Sequence, residues 1–316
     1  MSAWETILQQ LINGLISGSF YALVALGYSM VYGIIKLLNF AHGDIYMTGA
    51  FVCLSVFGYL PQIMPDWLWI MLPPWAWITL SILIAMIISG GLGYLAQRFA
   101  YRPLLGAPRL SLLITAIGVS LVIYNSAMTL TQSRPRAFLS GLDSVSGFQF
   151  GNVKITYIKI VLLIVTAVLM VGLTIFIEKT MRGKAMRAIA LDKDTCKLMG
   201  INVNKVIGLT FIIGSALAAV AGGMACVNYG NLKYDMGYLI GIKAFTAAVI
   251  GGIGSIPGAM LGGLLLGLLE ALGTHFLSSI DSRGAQWTDA FAFGILILIL
   301  IFKPNGLLGK SEVERM

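Results

Sequence analysis

The string NFAHGD, residues 39–44, sets an amide (Asn39), an imidazole (His42) and a carboxylate (Asp44) within six positions, with Phe40 and Gly43 among them and apolar sequence on either side. The simplest local reading is a break between helices: Asn39 ends one, Gly43 makes the turn, and Asp44 accepts amide hydrogens at the start of the next. His42 has no task in that account, because an imidazole with a reference pKa of about 6.5 sits neutral or charged in a wet turn at little cost. A second irregular string, GGIGSIPG (251–258), holds Gly251, Gly252, Gly254, Ser255 and Pro257. Its backbone amides and carbonyls escape helical pairing, which a bilayer tolerates only where protein buries them or a wet cavity reaches them. It is no dinucleotide site, since Pro257 takes the last glycine position of GxGxxG and no βαβ unit surrounds it.

Other chemistry is sparse. Lys243 and Glu270 are charges inside apolar runs, where a residue either faces the bundle interior or reaches for the interface. The plain expectation is that Lys243 snorkels outward from near a helix end and that Glu270 meets a polar neighbour, with His275 at the interface. Buried acids come down to Glu270 and Asp44, too few for a proton or sodium relay. No His/Asp/Glu cluster has metal spacing, and no Ser/His/Asp set converges. Neither Gly-Lys pair, at Gly183 or Gly309, is preceded by the first glycine of GxxxxGK[ST], so energy must come from a partner or an ion gradient.

The elements that must position these groups are legible in the composition. Of 316 residues 58% are hydrophobic and 11% charged, against roughly 45–50% and about 25% in soluble domains. Runs long enough to cross a bilayer as helices recur along nearly the whole chain, and they alternate too weakly for barrel strands. The fold class is all-α: a polytopic integral membrane bundle of about 8 to 9 transmembrane helices with broken or re-entrant segments. Candidate spans are 7–35, 45–60, 76–96, 112–130, 158–177, 203–230, 238–253, 257–275 and 287–302. Fourteen of the 21 basic residues fall at Lys36, after the third span, between Lys179 and Lys205, and in the tail. The positive-inside bias makes those the cytoplasmic connections, with the amino terminus outside and the carboxyl terminus inside. The net charge of +8 therefore reports topology and implies no nucleic-acid partner. The first ten residues carry Glu5 and no basic region, which points to a mature amino terminus rather than a cleaved leader.

Connections and packing residues follow. Pro65 to Trp77, with four tryptophans and three prolines, reads as an external loop along the interface. Thr131 to Tyr157, polar and without a helical stripe, is the largest external connection, either a contact surface or a plain solvated loop. Cys53, Cys196 and Cys226 lack any paired spacing and are small packing residues. Gly14 with Gly18, Gly254 with Gly258 and Gly262, and Gly263 with Gly267 stand four apart, the spacing of helices in close contact. Aligning NFAHGDIYMTGAF (39–51) with GIGSIPGAMLGGL (252–264) sets Gly43 against Ile256 and Asp44 against Pro257. That faint internal match leaves an inverted or a parallel repeat open. The longest polar segment, Glu178 to Lys205, predicts two short amphipathic helices, with Asp192 capping the second and Gly200 ending it. By spacing alone it serves equally as a solvated loop on anionic lipid.

The strings RAIALDKDTCKLMGIN (187–202), NFAHGD and KAFTAAVIGGIGSIPGAMLGG (243–263) resemble those of the LivH-type permease family of branched-chain amino acid ABC importers. The resemblance runs from INGLISGSFYALVALGYSMVYG, at Asn13, to KPNGLLG, at Gly309, with Cys196 where the family usually has alanine. It implies one permease domain over residues 1–316 in a bacterial inner (plasma) membrane, with 178–205 as its cytoplasmic coupling segment. It also implies a second homologous permease, two cytoplasmic ATPase subunits that bind the ATP, and an external substrate-binding protein, the chain itself needing no cofactor. The coupling role falls on Gly183, Arg187, Ala188, Ala190, Asp192, Leu198 and Gly200, as a helix laid in a groove of an ATPase. Asn39, Phe40, His42, Gly43 and Asp44, with Gly251, Gly252, Gly254, Ser255 and Pro257, become the residues bordering the translocation path. Few fixed charges suit an apolar side chain on a zwitterion. Specificity is implied to lie with the binding protein, so other amino acids, amides and urea stay open as substrates.

Overall fold

A computed structural model describes residues 3–65, 67, 71–138, 147–280 and 284–309. Its α-helices are α1 (Ala3–Ile35), α2 (His42–Ile63), α3 (Pro74–Ala96), α4 (Arg109–Thr131), α5 (Tyr157–Lys179), α6 (Met181–Leu191), α7 (Lys193–Leu198), α8 (Val203–Tyr229), α9 (Met236–Gly251), α10 (Ile256–Ile280) and α11 (Thr288–Phe302). Among the described residues seven helices are long and apolar enough to cross a membrane, and α9 and α11 are shorter apolar helices. Together these carry all nine segments expected to span, which makes the chain a multi-pass membrane protein. Lys310 and Arg315 of the basic tail, and Arg283, one of the seven basic residues outside the cytoplasmic connections, lie outside the described residues.

Two connections differ from expectation. The tryptophan-rich stretch is not loop to its end: Pro74 opens α3 at a position where a missing N–H costs nothing, and Trp77 is buried in that first turn. Asp66 and 68–70 lie outside the described residues. The polar stretch after α4 builds short antiparallel ladders that a helical pattern cannot announce, β1 (Arg136–Ala137) with β4 (Asn231–Leu232) and β2 (Gly147–Phe150) with β3 (Val153–Thr156). Residues 139–146 of that stretch are likewise not described.

The chain divides into two compact units. In the unit made of 30–144 and 175–242, α2, α3 and α8 pack on one another through small residues. A Cβ added at Gly49 would overlap Ala219, one at Gly93 would strike Ser215, and one at Gly222 would strike the carbonyl of Tyr46. Backbones can come that close only without side chains between them, and in lipid such contact supplies much of the association energy. Gly49 on Ala219 and Gly223 beside Cys53 also show that α2 runs alongside α8 in the same direction, its first turns level with the middle of that 27-residue helix. All three cysteines are free and buried, and Cys226 joins Ala50, Ile78, Phe138 and Leu232 in an apolar cluster.

In the unit made of 1–29, 145–174 and 243–316, the glycine spacing brings helices together as predicted except at Gly254, which stands exposed in the break before α10. Gly14 and Gly18 of α1 lie on Gly267 and Leu264 of α10, and Gly263 lies on Ala22. The segment after α11 folds back on the end of α9, where Leu307 and Leu308 donate their amide hydrogens to the carbonyls of Ile250 and Gly251 at 2.8 and 2.9 Å.

Candidate functional site: two helix breaks, an ion cluster and a capped surface segment

The NFAHGD turn is built differently from its simplest reading. Lys36, not Gly43, takes the left-handed conformation, at φ 55°, and its amide closes on Tyr32 to end α1. The Asn39 carbonyl then accepts from the His42 amide, and α2 begins at His42 with no side-chain cap. Gly43 is therefore inside the first turn of α2. Its missing Cβ is used for approach, because a side chain there would overlap the Gly237 carbonyl and Gly241 at the start of α9. Asp44 does not accept amide hydrogens at the helix start as expected. Its Oδ2 accepts from the Ser120 hydroxyl of α4, and its side chain is buried. The Asn39 side chain is likewise engaged, its Oδ1 accepting from the Tyr101 hydroxyl at 2.6 Å.

Asn39, His42, Gly43 and Asp44 are thus brought together with Ser120, Tyr101 and Gly237, and Phe40 stands half-buried beside them. Tyr124, one turn beyond Ser120, stacks edge-on with Tyr234, ring centroids 5.6 Å apart. Because the first turns of α2 lie level with the middle of α8, the turn lies part-way along α8 and not at its start. Sequence reasoning missed Tyr101, Ser120 and Tyr234, each more than sixty residues from its partner, and no local pattern could have supplied them.

The GGIGSIPG break is irregular, as expected. Gly252 and Gly254 take φ of 104° and 89°, values open to glycine, and α10 starts at Ile256 with the Ser255 hydroxyl accepting from the Gly258 amide at 3.2 Å. Gly251 and Gly252 are buried, whereas Gly254 and Pro257 are exposed. Gly306 and Gly309 lie against Gly252, so the segment after α11 covers the break.

Lys243 does not snorkel. Its ammonium lies 2.7 Å from Glu270 of α10 and 2.8 Å from Asp289 of α11, and the Tyr21 hydroxyl of α1 donates to the other Glu270 oxygen at 2.7 Å. Four helices of one unit are tied by one cation, two anions and a phenol. This satisfies the rule that an intramembrane charge is paired.

The segment 178–205 forms the two short helices read from its pattern. Thr180 caps α6 by accepting from the Gly183 amide at 3.0 Å, Asp192 caps α7 by accepting from Asp194 and Thr195 amides at 2.9 and 3.1 Å, and Asn202 caps α8. Gly200, at φ 80°, ends α7. Gly183 lies on the carbonyls of Phe176 and Ile177, and Arg187 donates to the Glu178 carbonyl at 3.1 Å. Met186, Ile189 and Cys196 are buried, Ala188 and Ala190 are half-buried, and Leu191, Leu198 and Met199 are 89, 88 and 78% exposed. Hydrogen bonds from Thr195 and Asp194 hold the Asp192 carboxyl below the ordinary carboxylate range. A depressed pKa makes the cap fully present above the unfolded value and lost as the pH falls through the folded one, so it persists at every pH above about 4. Asp192→Ala is expected to speed tryptic cleavage at Lys193 and Lys197 several-fold at neutral pH, with Asp192→Asn near wild type. Equal cleavage of all three would show the cap to be idle.

Comparison with known proteins agrees with these features. The family described as the permease component of the branched-chain amino acid transport system matches residues 10–300. The chain is 46% identical to the high-affinity branched-chain amino acid transport system permease protein BraD of Pseudomonas aeruginosa, over 98% of both chains. It is 43% identical to LivH of Escherichia coli K12 over 98% of this chain and 97% of that one. It is 28% identical to a probable LivH of Methanocaldococcus jannaschii over 94 and 91%. With its helical bundle, its paired breaks and this near-complete match, the chain belongs to the family of branched-chain amino acid transport permease components.

Proposed function

We propose that this chain forms half of the path of an ATP-driven importer in a bacterial inner membrane, passing leucine, isoleucine and valine delivered by an external binding protein. Its counterparts are a second, homologous permease and two ATPase subunits that bind and hydrolyse ATP. The amino terminus faces outward and the carboxyl terminus the cytoplasm, in keeping with the crowding of basic residues on the 178–205 side.

The observation that carries the reading is the segment α6–α7. Caps at Thr180 and Asp192 hold two short helices, and one at Asn202 opens the helix that follows, while Leu191, Leu198 and Met199 stay bare. Apolar side chains held out on a rigid, polar-faced helix pair suit a groove on a partner. The NFAHGD and GGIGSIPG breaks are the non-helical backbone that transport proteins place along a path, and a route with few fixed charges lets a zwitterion with an apolar side chain pass. Tagged protein from the native membrane should bring down an ATPase, and reconstituted complex should take up leucine on ATP in preference to urea. Uptake that ignores ATP depletion and follows an ion gradient would overturn the reading.

Gly200→Pro is expected to leave the protein inserted and yet lower leucine uptake per ATP about tenfold or more, because proline cannot adopt φ 80° and the end of α7 must refold. Normal uptake by this variant would remove the coupling role.

A further inference from the structure

α3 does not pass into α4 through an ordinary loop. It runs into a π-turn at Gln97–Tyr101, a helical geometry that is rare and recurs at functional positions. One feature shows that this turn is held at a cost, and a second shows what it holds. The Gln97 side chain is buried, and its Nε2 has no hydrogen-bond partner among the described residues, a loss of about 1–3 kcal/mol for a buried donor. Tyr101, fully buried, spends its hydroxyl on Asn39 Oδ1, 62 positions away in sequence.

The turn also has a mechanical neighbour on its other side. The Tyr101 ring lies on Phe211 of α8, centroids 5.3 Å apart, and one turn earlier Gly208 of α8 faces the Tyr94 ring and Gln97 Oε1. α8 in turn begins at the Asn202 cap, directly after α7, and α6 and α7 both pack against it. Packed contacts therefore run from α6–α7 through the first turns of α8 to Tyr101, and from the Tyr101 hydroxyl to Asn39 in the NFAHGD turn. All of them lie within one compact unit.

We infer that Tyr101 is a positioning residue that joins α8 to the NFAHGD turn, with the π-turn as the element that changes state when the α6–α7 segment is moved. The inference rests on the import reading for the origin of that movement, and on the geometry alone for the joint. Regularising the π-turn to an α-turn would turn Tyr101 about the helix axis and away from Asn39, so the joint depends on which of the two helical geometries this turn takes. An element with two arrangements of similar free energy is what coupling between distant sites requires.

Tyr101→Phe tests the joint, since it removes only the hydroxyl and keeps the ring on Phe211. In the reconstituted complex with leucine-loaded binding protein, ATP hydrolysis is expected within twofold of wild type while leucine uptake per ATP falls about tenfold, and Asn39→Ala should do the same. The double variant should be no worse than either single one. Wild-type uptake per ATP in Tyr101→Phe overturns the inference. So does a proportional fall of hydrolysis and uptake, the mark of a merely structural loss. Hydrogen exchange in the purified permease is independent of the import reading: amides 39–44 should exchange about tenfold faster in Tyr101→Phe, and unchanged exchange overturns the joint. If the wild-type complex shows no ATP-driven uptake, the import reading falls while the exchange result still decides the joint.

Discussion

Gly43→Val is expected to reduce leucine uptake to less than about a tenth of wild type while the protein still inserts into the membrane. A Cβ at Gly43 would meet the Gly241 Cα at 2.6 Å and overlap the Gly237 carbonyl. The return contact is as tight: a Cβ at Gly237 would lie 2.9 Å from the Gly43 carbonyl and 3.0 Å from Asp44 Oδ1. Every obstacle at Gly43 is backbone, which cannot rotate aside as a flexible side chain does. The first turns of α2 and α9 must separate, at a cost of about 1–3 kcal/mol for alanine and more for a branched residue. Separation also pulls Asp44 from the Ser120 hydroxyl, leaving a carboxylate in an apolar bundle with its acceptor unfilled. Uptake and thermal melting should therefore both fall, uptake further. A Gly43→Val protein that transports normally would show that the close approach is incidental.

Glu270→Ala is the second large effect. Glu270 is the centre of its cluster, accepting from Lys243 on one oxygen and from Tyr21 on the other. Its removal leaves the Lys243 ammonium with Asp289 alone, and the Asp289 side chain is 46% exposed. Breaking a buried pair from one side typically costs about 3–5 kcal/mol because a charge is stranded. With Asp289 still in place, a loss of about 2–3 kcal/mol is expected, read as a lower melting midpoint of the purified protein. Pairing the change with Lys243→Met should restore most of that stability, since no stranded ammonium remains. If the double variant is as unstable as Glu270→Ala, the cluster matters through its packing and not its charge.

What the sequence made legible was local. Nine apolar runs became helices, Asp192 capped the helix it was expected to cap, Gly200 ended it, and the glycines spaced four apart, Gly254 excepted, met neighbouring backbones. Each of these is written within a few positions by periodicity, by a capping side chain or by a missing Cβ. What escaped was a partner far along the chain. Nothing in NFAHGD announces that Asn39 binds Tyr101 or that Asp44 binds Ser120, and nothing near Lys243 names Asp289. The misreading of Gly43 has the same origin. Glycine serves both left-handed turns and close approach, and only the presence of α9 against it decides between them. With Lys36 carrying the positive φ, the glycine was available for contact.

The covering of the GGIGSIPG break by Leu307 and Leu308 has a consequence for how the protein is made. The Ile250 and Gly251 carbonyls are synthesised well before the amides that satisfy them, because α10 and α11 must first emerge and enter the bilayer. During that interval the end of α9 holds polar groups that neither lipid nor protein has paired. A chain ending between α11 and Gly306 would lack both amides and keep that end open.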